Sequence, residues 1–221
     1  MEPQTSSSCH LVLGDVCPNF NGESTMGKFG LKQYMGDSNY CLIFSQPKAK
    51  TPVGTSELGR ICTMQQELEK RGCKVVVLTT DNLNLCEEWT KDINEIHGCR
   101  VVFPIVSDSD RKICKSFGMI SVSNPNDVQS VRNVYVVGSD HKIKAFFAYP
   151  LCCGVNFVEI VRVLDSLTIN TKTNVCTPAD WRVGEDVFID EKVSDDHAKK
   201  NFQNWKSVKP YIRVVPQPKC N

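Results

Sequence analysis

The sequence predicts an α/β fold in which helices cover both faces of a central sheet, followed by a C-terminal extension arm. Three observations lead to this prediction. Short apolar runs alternate with segments of helical periodicity, a hairpin pattern and a last helix follow them, and the composition changes after about residue 169. Alternating strands and helices are typical of layered α/β domains, and 221 residues are enough for one sizeable core and an appendage.

Two apolar runs mark the first core strands. Residues 40–44 (Tyr-Cys-Leu-Ile-Phe) and 74–79 (Lys-Val-Val-Val-Leu-Thr) have the composition of buried strands. Between them, residues 56–71 place Leu58 and Ile61 on one side at helical spacing. The pattern therefore begins as strand, helix, strand.

The same alternation continues to the last predicted helix. Its predicted elements are a helix over 87–97, a strand over 101–106, a short helix over 110–117, a hairpin of strands 133–137 and 142–149 around the turn 138–141, and a helix over 157–167. Residues 121–130, rich in Ser, Asn and Asp, predict a loop.

The predicted organisation has three parts. Residues 1–10 form a flexible N-terminal tail, residues 11–169 the α/β domain, and residues 170–221 a C-terminal dimerisation arm. The last part contains several prolines and mixed charge but few apolar runs. We therefore expect an extended arm there rather than an independent core.

Composition argues against several classes of function. The chain has 26 basic and 25 acidic residues with no basic stripe, so neither nucleic acid nor an anionic membrane is an expected partner. No apolar run approaches the roughly 18 residues that span a bilayer, and the polar N-terminus lacks a signal peptide's apolar block. The expected location is cytoplasmic.

The twelve cysteines predict no disulfide framework and no metal site. They are scattered along the chain, no Cys-x-x-Cys occurs, and the four histidines show no zinc-type spacing. Thiols stay reduced in the cytosol. We therefore expect most of these cysteines to behave as small apolar residues or tolerated surface thiols, with no metal and no cofactor.

The most informative motif is residues 47–58, Pro-Lys-Ala-Lys-Thr-Pro-Val-Gly-Thr-Ser-Glu-Leu. It resembles the active-site segment of one-cysteine peroxiredoxins, Pro-x-x-x-Thr-Pro-Val-Cys-Thr-Thr-Glu-Leu. Further segments resemble the family in the same order along the chain: Leu13–Phe20, Trp89–Asn94, Phe103–Asp108, Arg132 before Asn133–Val137, Thr177–Trp181 and Tyr211–Arg213. The resemblance implies a thioredoxin-like fold, a peroxidase ancestry, and an arm that packs across a dimer partner.

Gly54 stands where the family has its peroxide-reducing cysteine. Only a thiolate attacks the O–O bond of a peroxide, and it becomes a sulfenic acid. Glycine has no side chain that could do this. The resemblance therefore names a fold and predicts that the usual reaction is lost.

Other parts of the family's pocket are retained. Thr51 is a predicted N-cap and Pro52 a predicted first helical residue, so the following amides would face an anion. Arg132 and Glu57 match family pocket residues. Arg132 is either an anion stabiliser or the partner of Glu57 in a buried ion pair, and a small anion is the natural ligand in the first case.

Three more positions depart from the family pattern. Gln46 replaces a histidine near the nucleophile, Lys50 replaces a phenylalanine, and Val155 replaces an arginine that pairs with the glutamate matched by Glu57. Several changes around one pocket indicate that peroxidase chemistry is no longer required.

Phospholipase activity, credited to some relatives, is not expected. Ser38 and Asp140 match its serine and aspartate, but the Gly-x-Ser-x-Gly motif lacks its second glycine and Lys32 stands at the histidine position. Without a general base, a serine is a weak nucleophile.

Two functions from different classes remain. The first is a non-catalytic homologue that binds a ligand or partner, as a homodimer or as a heterodimer with an active paralogue that it regulates. The second is an active antioxidant peroxidase that uses a relocated thiol, Cys152 or Cys153, because the matching family loop lies beside the active site.

Overall fold

A computed structural model describes residues 11–120 and 130–219. The predicted N-terminal tail and nearly all of the predicted loop over 121–130 lie outside the described residues. The chain divides into two compact units, Met1–Val155 and Asn156–Asn221.

The first unit is built on a mixed seven-stranded sheet. Its strands are β1 (Asn21–Ser24), β2 (Gly27–Gly30), β3 (Tyr40–Gln46), β4 (Cys73–Thr79), β5 (Ile105–Ser107), β6 (Arg132–Gly138) and β7 (Ile143–Tyr149). Its helices are α1 (Leu31–Met35), α2 (Pro52–Thr63), α3 (Gln65–Glu69), α4 (Leu83–His97) and α5 (Lys112–Ser116). The strand order is β2-β1-β5-β4-β3-β6-β7.

The centre of this sheet is fully buried, as the apolar runs predict. All seven residues of β3 and all seven of β6 are buried. β3 pairs in parallel with β4, with Phe44 opposite Val77, and antiparallel with β6, with Phe44 opposite Val134. The carboxyl end of β3 is therefore held firmly from both sides, and it leads into α2.

The predicted helix over 56–71 is two helices with an earlier start. α2 begins at Pro52, and the chain breaks at Met64, whose N–H reaches the carbonyls of both Arg60 and Ile61 at 3.1 Å. This shared hydrogen bond tightens the last turn and ends the α-helical repeat. The short α3 follows directly.

The hairpin of β6 and β7 is close to its predicted bounds. Its turn includes His141 at φ +57°, and a register shift lies between Val136 and Val137. The hairpin of β1 and β2 has no strong apolar alternation, so the sequence did not predict it. Gly27, at φ +91°, provides the backbone conformation that its tight turn requires.

The second unit has its own small core, which the expectation of an extended arm missed. It contains α6 (Phe157–Thr173), β8 (Val175–Cys176), β9 (Val187–Ile189), α7 (Asp195–Asn201), β10 (Lys206–Lys209) and β11 (Ile212–Val215), with sheet order β10-β11-β9-β8. Ile169, Trp181 and Val187 are buried in one cluster with residues of the sheet and of α7. These apolar residues stand singly between polar ones, so the sequence contains no apolar run that would predict this core.

The predicted division after residue 169 falls inside α6. The contacts instead divide the chain between Val155 and Asn156. The Asn156 side chain caps the start of α6 by accepting from the N–H groups of Val158 and Glu159, while Ile169, near its other end, joins the core of the second unit.

No helix in the described part of the chain is long and apolar enough to cross a membrane.

Candidate functional site at the start of α2

The candidate site lies where β3 ends and α2 begins. Thr51 is in an extended conformation, and its Oγ1 accepts a hydrogen bond from the Gly54 N–H at 3.2 Å, with Pro52 in the first turn. The predicted N-cap is therefore present. The loop before it is fixed by the Ala49 N–H, which donates to Asp81 Oδ2 at 2.6 Å.

Gly54 is buried, and the space beside its Cα is already filled. A Cβ atom at this position would lie 2.7 Å from Gln46 Oε1, 2.7 Å from Thr51 Oγ1 and 3.2 Å from the ring of Trp89. Two of these distances are shorter than real Cβ contacts. The glycine is thus matched to its surroundings, and any side chain here requires both Gln46 and Thr51 to move.

Glu57 and Arg132 form a buried ion pair beneath this position. Arg132 Nε lies 3.1 Å from the Glu57 carboxylate, and each side chain is only 3 % exposed. Of the two roles left open for Arg132, the structure places it in the ion pair. The Arg132 Nη1 atom also donates to the carbonyl oxygens of Leu151 at 2.6 Å and Pro150 at 3.2 Å.

Two further donors complete the shell of the Glu57 carboxylate. Gln46 Nε2 donates to Oε2 at 2.8 Å, and the Val155 N–H donates to Oε1 at 2.9 Å. Val155 replaces the arginine of the family pattern, so its backbone satisfies the carboxylate without adding a charge. The pocket therefore holds one paired negative and one paired positive charge.

The arrangement leaves few donors for a small anion. The Gly54 amide is capped by Thr51, the Thr55 amide is in the helical bond to the Thr51 carbonyl at 2.8 Å, and Arg132 donates through its Nε and Nη1 atoms as described. Gln46 Oε1, by contrast, is buried without a hydrogen-bond partner among the described residues. It is an acceptor, which an anion would not satisfy.

Helix α4, which lies outside the motif, contacts the site through two sets of side chains. Trp89 Nε1 donates to Thr55 Oγ1 at 2.9 Å, so α4 is tied to the first turn of α2. Lys50 Nζ lies 3.1 Å from Glu88 and 3.3 Å from Asp92 on α4. Hydrogen bonds to these carboxylates raise the pKa of Lys50. The sequence signal for both contacts is weak, because the partners are more than 30 residues apart.

Cys152 and Cys153 lie in the turn after β7, and both are exposed. The Cys153 N–H donates to the Pro150 carbonyl at 3.0 Å, and the two sulfur atoms are 3.8 Å apart. A Cβ on Gly154 would lie 3.7 Å from Val53, so the turn borders the first turn of α2. The hydrogen bond with Cys152 raises the pKa of Cys153, which reduces its thiolate fraction.

The other described cysteines are free thiols, and most are buried. Burial raises the pKa of Cys17, Cys73 and Cys86 to about 12 in each case. Such thiols stay protonated and unreactive near neutral pH. Within the described ranges, no group of three or more His, Cys, Asp or Glu residues could hold a metal ion.

The residues matched to a phospholipase site do not form one in the described structure. The Asp140 carboxylate accepts from Lys144 Nζ at 2.8 Å and from the Lys142 N–H at 3.2 Å, within the hairpin turn. Lys32 lies in α1, where the missing histidine would be. The Ser38 hydroxyl is buried and has no hydrogen-bond partner among the described residues, so none of them is placed to act as its base.

Comparison with known families assigns the class of protein. The model of the AhpC/TSA family matches residues 13–146, and that of the C-terminal domain of 1-Cys peroxiredoxin matches residues 167–204. The chain belongs to the peroxiredoxins, in their 1-Cys group. The predicted family and the predicted thioredoxin-like fold with its C-terminal extension are confirmed.

Individual relatives agree with this assignment along nearly the whole chain. The chain is 41 % identical to the 1-Cys peroxiredoxin of Dictyostelium discoideum over 209 residues, covering 94 % of this chain and 86 % of the relative. It is 37 % identical to peroxiredoxin-6 of Gallus gallus, with 94 % and 98 % covered.

Solved structures show the same similarity. A cysteine-to-serine mutant of the peroxiredoxin 6 of Arenicola marina matches with a TM-score of 0.88 at 35 % identity, covering 95 % of this chain and 100 % of that one. The yeast mitochondrial 1-Cys peroxiredoxin also gives 0.88 at 34 % identity, with 93 % and 99 % covered.

Proposed function

We propose that this chain is a non-catalytic 1-Cys peroxiredoxin homologue that acts by binding a partner or ligand, or by regulating an active relative. The observation that carries the proposal is Gly54, in the helical turn where the family pattern has its nucleophile, with the Gln46 amide filling the space beside it. A thiolate is required to attack a peroxide. Neither glycine nor an amide can replace it.

The buried polar network supports a structural use of the retained residues. Arg132, which in the family pattern stabilises an anion, here binds Glu57 and backbone carbonyls. A buried ion pair of this kind fixes the end of β3, the start of α2 and the start of β6 relative to one another, and this role needs no catalysis. The fold can therefore be kept without the reaction.

The proposed partner is a second chain of the same fold, either identical or an active paralogue. This rests on the family resemblance of the C-terminal segment, whose relatives in the 1-Cys group use an arm across a dimer. A small anion remains a weaker prediction, since the Gly54 amide and the Nε and Nη1 atoms of Arg132 already donate to protein oxygens. The proposed cytoplasmic location rests on the sequence alone.

The alternative is an active peroxidase that uses Cys152 or Cys153 against hydrogen peroxide or organic hydroperoxides. The observation in its favour is that their turn borders the first turn of α2. Against it stands the raised pKa of Cys153, and a relocated thiol would also have to be aligned with the amides that the family's arrangement provides. A misplacement of about 1 Å can already cost on the order of 100-fold in rate.

The deciding experiment is hydrogen peroxide consumption by the reduced protein in stopped flow, with dimedone present to trap sulfenic acid. We expect no consumption above the background of free thiols. The matched control is the double variant Cys152→Ser with Cys153→Ser, which should behave identically. Fast turnover with the dimedone tag mapped to Cys152 or Cys153 would overturn the proposal in favour of the alternative.

A further inference from the structure

Two adjacent thiols at the surface are not used by the proposed function. Among the described cysteines, Cys152, Cys153 and Cys176 are exposed, and only the first two lie close to one another, with their sulfur atoms 3.8 Å apart. The side chain of Cys176 instead contacts the Asp190 carboxylate at 3.7 Å, and burial raises its pKa. The pair is therefore the accessible dithiol of the described chain.

We propose that Cys152 and Cys153 form a reversible dithiol–disulfide site that reacts with low-molecular-weight disulfides of the glutathione disulfide class. In the first step, one thiolate attacks a sulfur of the small disulfide and releases one small thiolate, leaving a mixed disulfide. In the second, the neighbouring thiolate attacks the protein sulfur and releases the other. Two protein thiols are oxidised to one disulfide, and one small disulfide is reduced to two thiols.

Geometry favours the second step. The sulfur atoms already touch at 3.8 Å, and a disulfide bond needs about 2.05 Å. The approach requires rotation of the two side chains and adjustment of the peptide between them, with no encounter between distant parts of the chain. A mixed disulfide at either position is thus within reach of its neighbour.

The resulting disulfide would be strained and therefore readily reversed. Consecutive Cα atoms are about 3.8 Å apart, whereas disulfide-linked Cα atoms are usually at least about 4.4 Å apart. Strained and exposed disulfides have higher, more oxidising reduction potentials, so they are reduced more readily than structural disulfides. The site would close as the small-disulfide fraction rises and reopen when it falls.

Exchange with a disulfide suits this site better than reaction with a peroxide. Thiol–disulfide exchange needs an accessible thiolate. The exposed turn provides the access, while the raised pKa of Cys153 lowers its thiolate fraction for either reaction. Peroxide reduction at family rates also needs donors aligned on the leaving oxygen. The donors of Arg132 that face this turn are already bound to its carbonyl oxygens, including that of Cys153 at 3.4 Å.

These same contacts connect the turn to the buried network. Closing the ring rearranges the Cys152–Cys153 peptide, while Arg132 holds the carbonyls of Pro150 and Leu151 and pairs with Glu57. The redox state of the pair should therefore alter the environment of Arg132. The inference does not depend on the proposed function, because it involves neither a peroxide nor a partner.

The test is a titration of the full chain with glutathione and glutathione disulfide at varied ratios, followed by acid quenching, alkylation and tryptic mapping. Cleavage after Lys144 and Arg162 yields a peptide, residues 145–162, that contains these two cysteines and no others. We expect this peptide to lose both alkylation sites as one internal disulfide, in a fraction that rises with glutathione disulfide and returns to zero on reduction.

The single variants Cys152→Ser and Cys153→Ser are the matched controls. Each variant lacks the neighbouring thiol, so its remaining cysteine should keep a stable glutathione adduct. The chain with both cysteines should not accumulate this adduct. The proposal is overturned if both thiols stay alkylatable at every ratio. It is equally overturned if the chain with both cysteines accumulates a glutathione adduct at these residues, or a disulfide that joins two chains there.

Discussion

A thiol peroxidase needs a reactive thiol and polarising donors at the same site. In this chain the buried pocket at Gly54 and the exposed turn at Cys152 and Cys153 each contain only one of the two. The pocket has the helix start, the cap and the arginine, but no nucleophile, and its Gly54 amide and Arg132 Nε already donate to protein oxygens. The turn has two thiols, but the arginine beside it donates to backbone carbonyls. Reactivity depends on a thiol and its polarising surroundings together, and the proposed loss of the family's reaction rests on their separation here.

The largest expected effect comes from breaking the ion pair of the pocket. Arg132→Met leaves the Glu57 carboxylate buried with one charged partner fewer, and we expect a loss of about 3–5 kcal/mol in the free energy of unfolding. Urea denaturation followed by circular dichroism measures it.

The double variant Arg132→Met with Glu57→Gln is the control for this prediction. It removes both charges, so it should be markedly more stable than Arg132→Met alone. The exposed pair of Lys112 and Asp110, 2.7 Å apart, is the contrast, because disrupting it with Lys112→Ala should cost about 0–1 kcal/mol. Equal losses at the two pairs would contradict the structural role of the buried one.

The next effect tests whether the pocket can take back a nucleophile. Gly54→Cys places a Cβ 2.7 Å from Gln46 Oε1, so we expect a loss of about 1–3 kcal/mol from overpacking and no family-like peroxide consumption. Adding Gln46→Ala makes room and should recover part of the stability and raise the rate of sulfenic acid formation.

Gly54→Ala separates the steric effect from the chemistry. It should share the loss of stability and show no sulfenic acid at all. If Gly54→Cys alone consumed peroxide as fast as the family does, then only the nucleophile would be missing, and the other changes around the pocket would be neutral.

A smaller effect concerns the buried thiols, in contrast to the exposed pair. Burial raises the pKa of Cys73 from 9.0 to about 12. The stability from keeping this thiol neutral is fully present below pH 9 and is lost as the pH rises from there towards 12, because the unfolded chain ionises first.

Each buried thiol of this kind adds up to about 1.4 kcal/mol of loss per pH unit in that window. Unfolding of the protein and of Cys73→Ala, measured between pH 8 and pH 11, should show a shallower decline for the variant. Parallel curves would mean that Cys73 does not stay protonated in the folded chain.

The smallest expected effect is loss of the cap at the pocket. Thr51→Ala removes the acceptor of the Gly54 N–H and should lower the free energy of unfolding by about 1 kcal/mol. Thr51→Ser keeps an oxygen at the same position and should retain most of that stability. Thermal unfolding of the two variants side by side checks the prediction. If Thr51→Ala were as stable as the original chain, the cap would not contribute to stability.

Local sequence signals determined much of this molecule. The apolar runs of β3 and β4, the Thr51-Pro52 helix start and the turn of the β6–β7 hairpin follow from backbone and burial preferences that act over a few residues. The absence of a nucleophile at Gly54 is also a property of the sequence, because no folding can add a side chain.

Tertiary structure decided how the remaining groups are used. The contacts of Glu57 with Arg132 and Val155 join residues 75 and 98 positions apart, and the core of the second unit collects single apolar residues from several elements. A pattern along the chain cannot report such partners, since their proximity arises only when strands pair and helices pack. The packing of strands and helices also decides the contacts of Arg132. Its guanidinium binds the Glu57 carboxylate and three backbone carbonyl oxygens, whereas the sequence alone allowed it to face an anion.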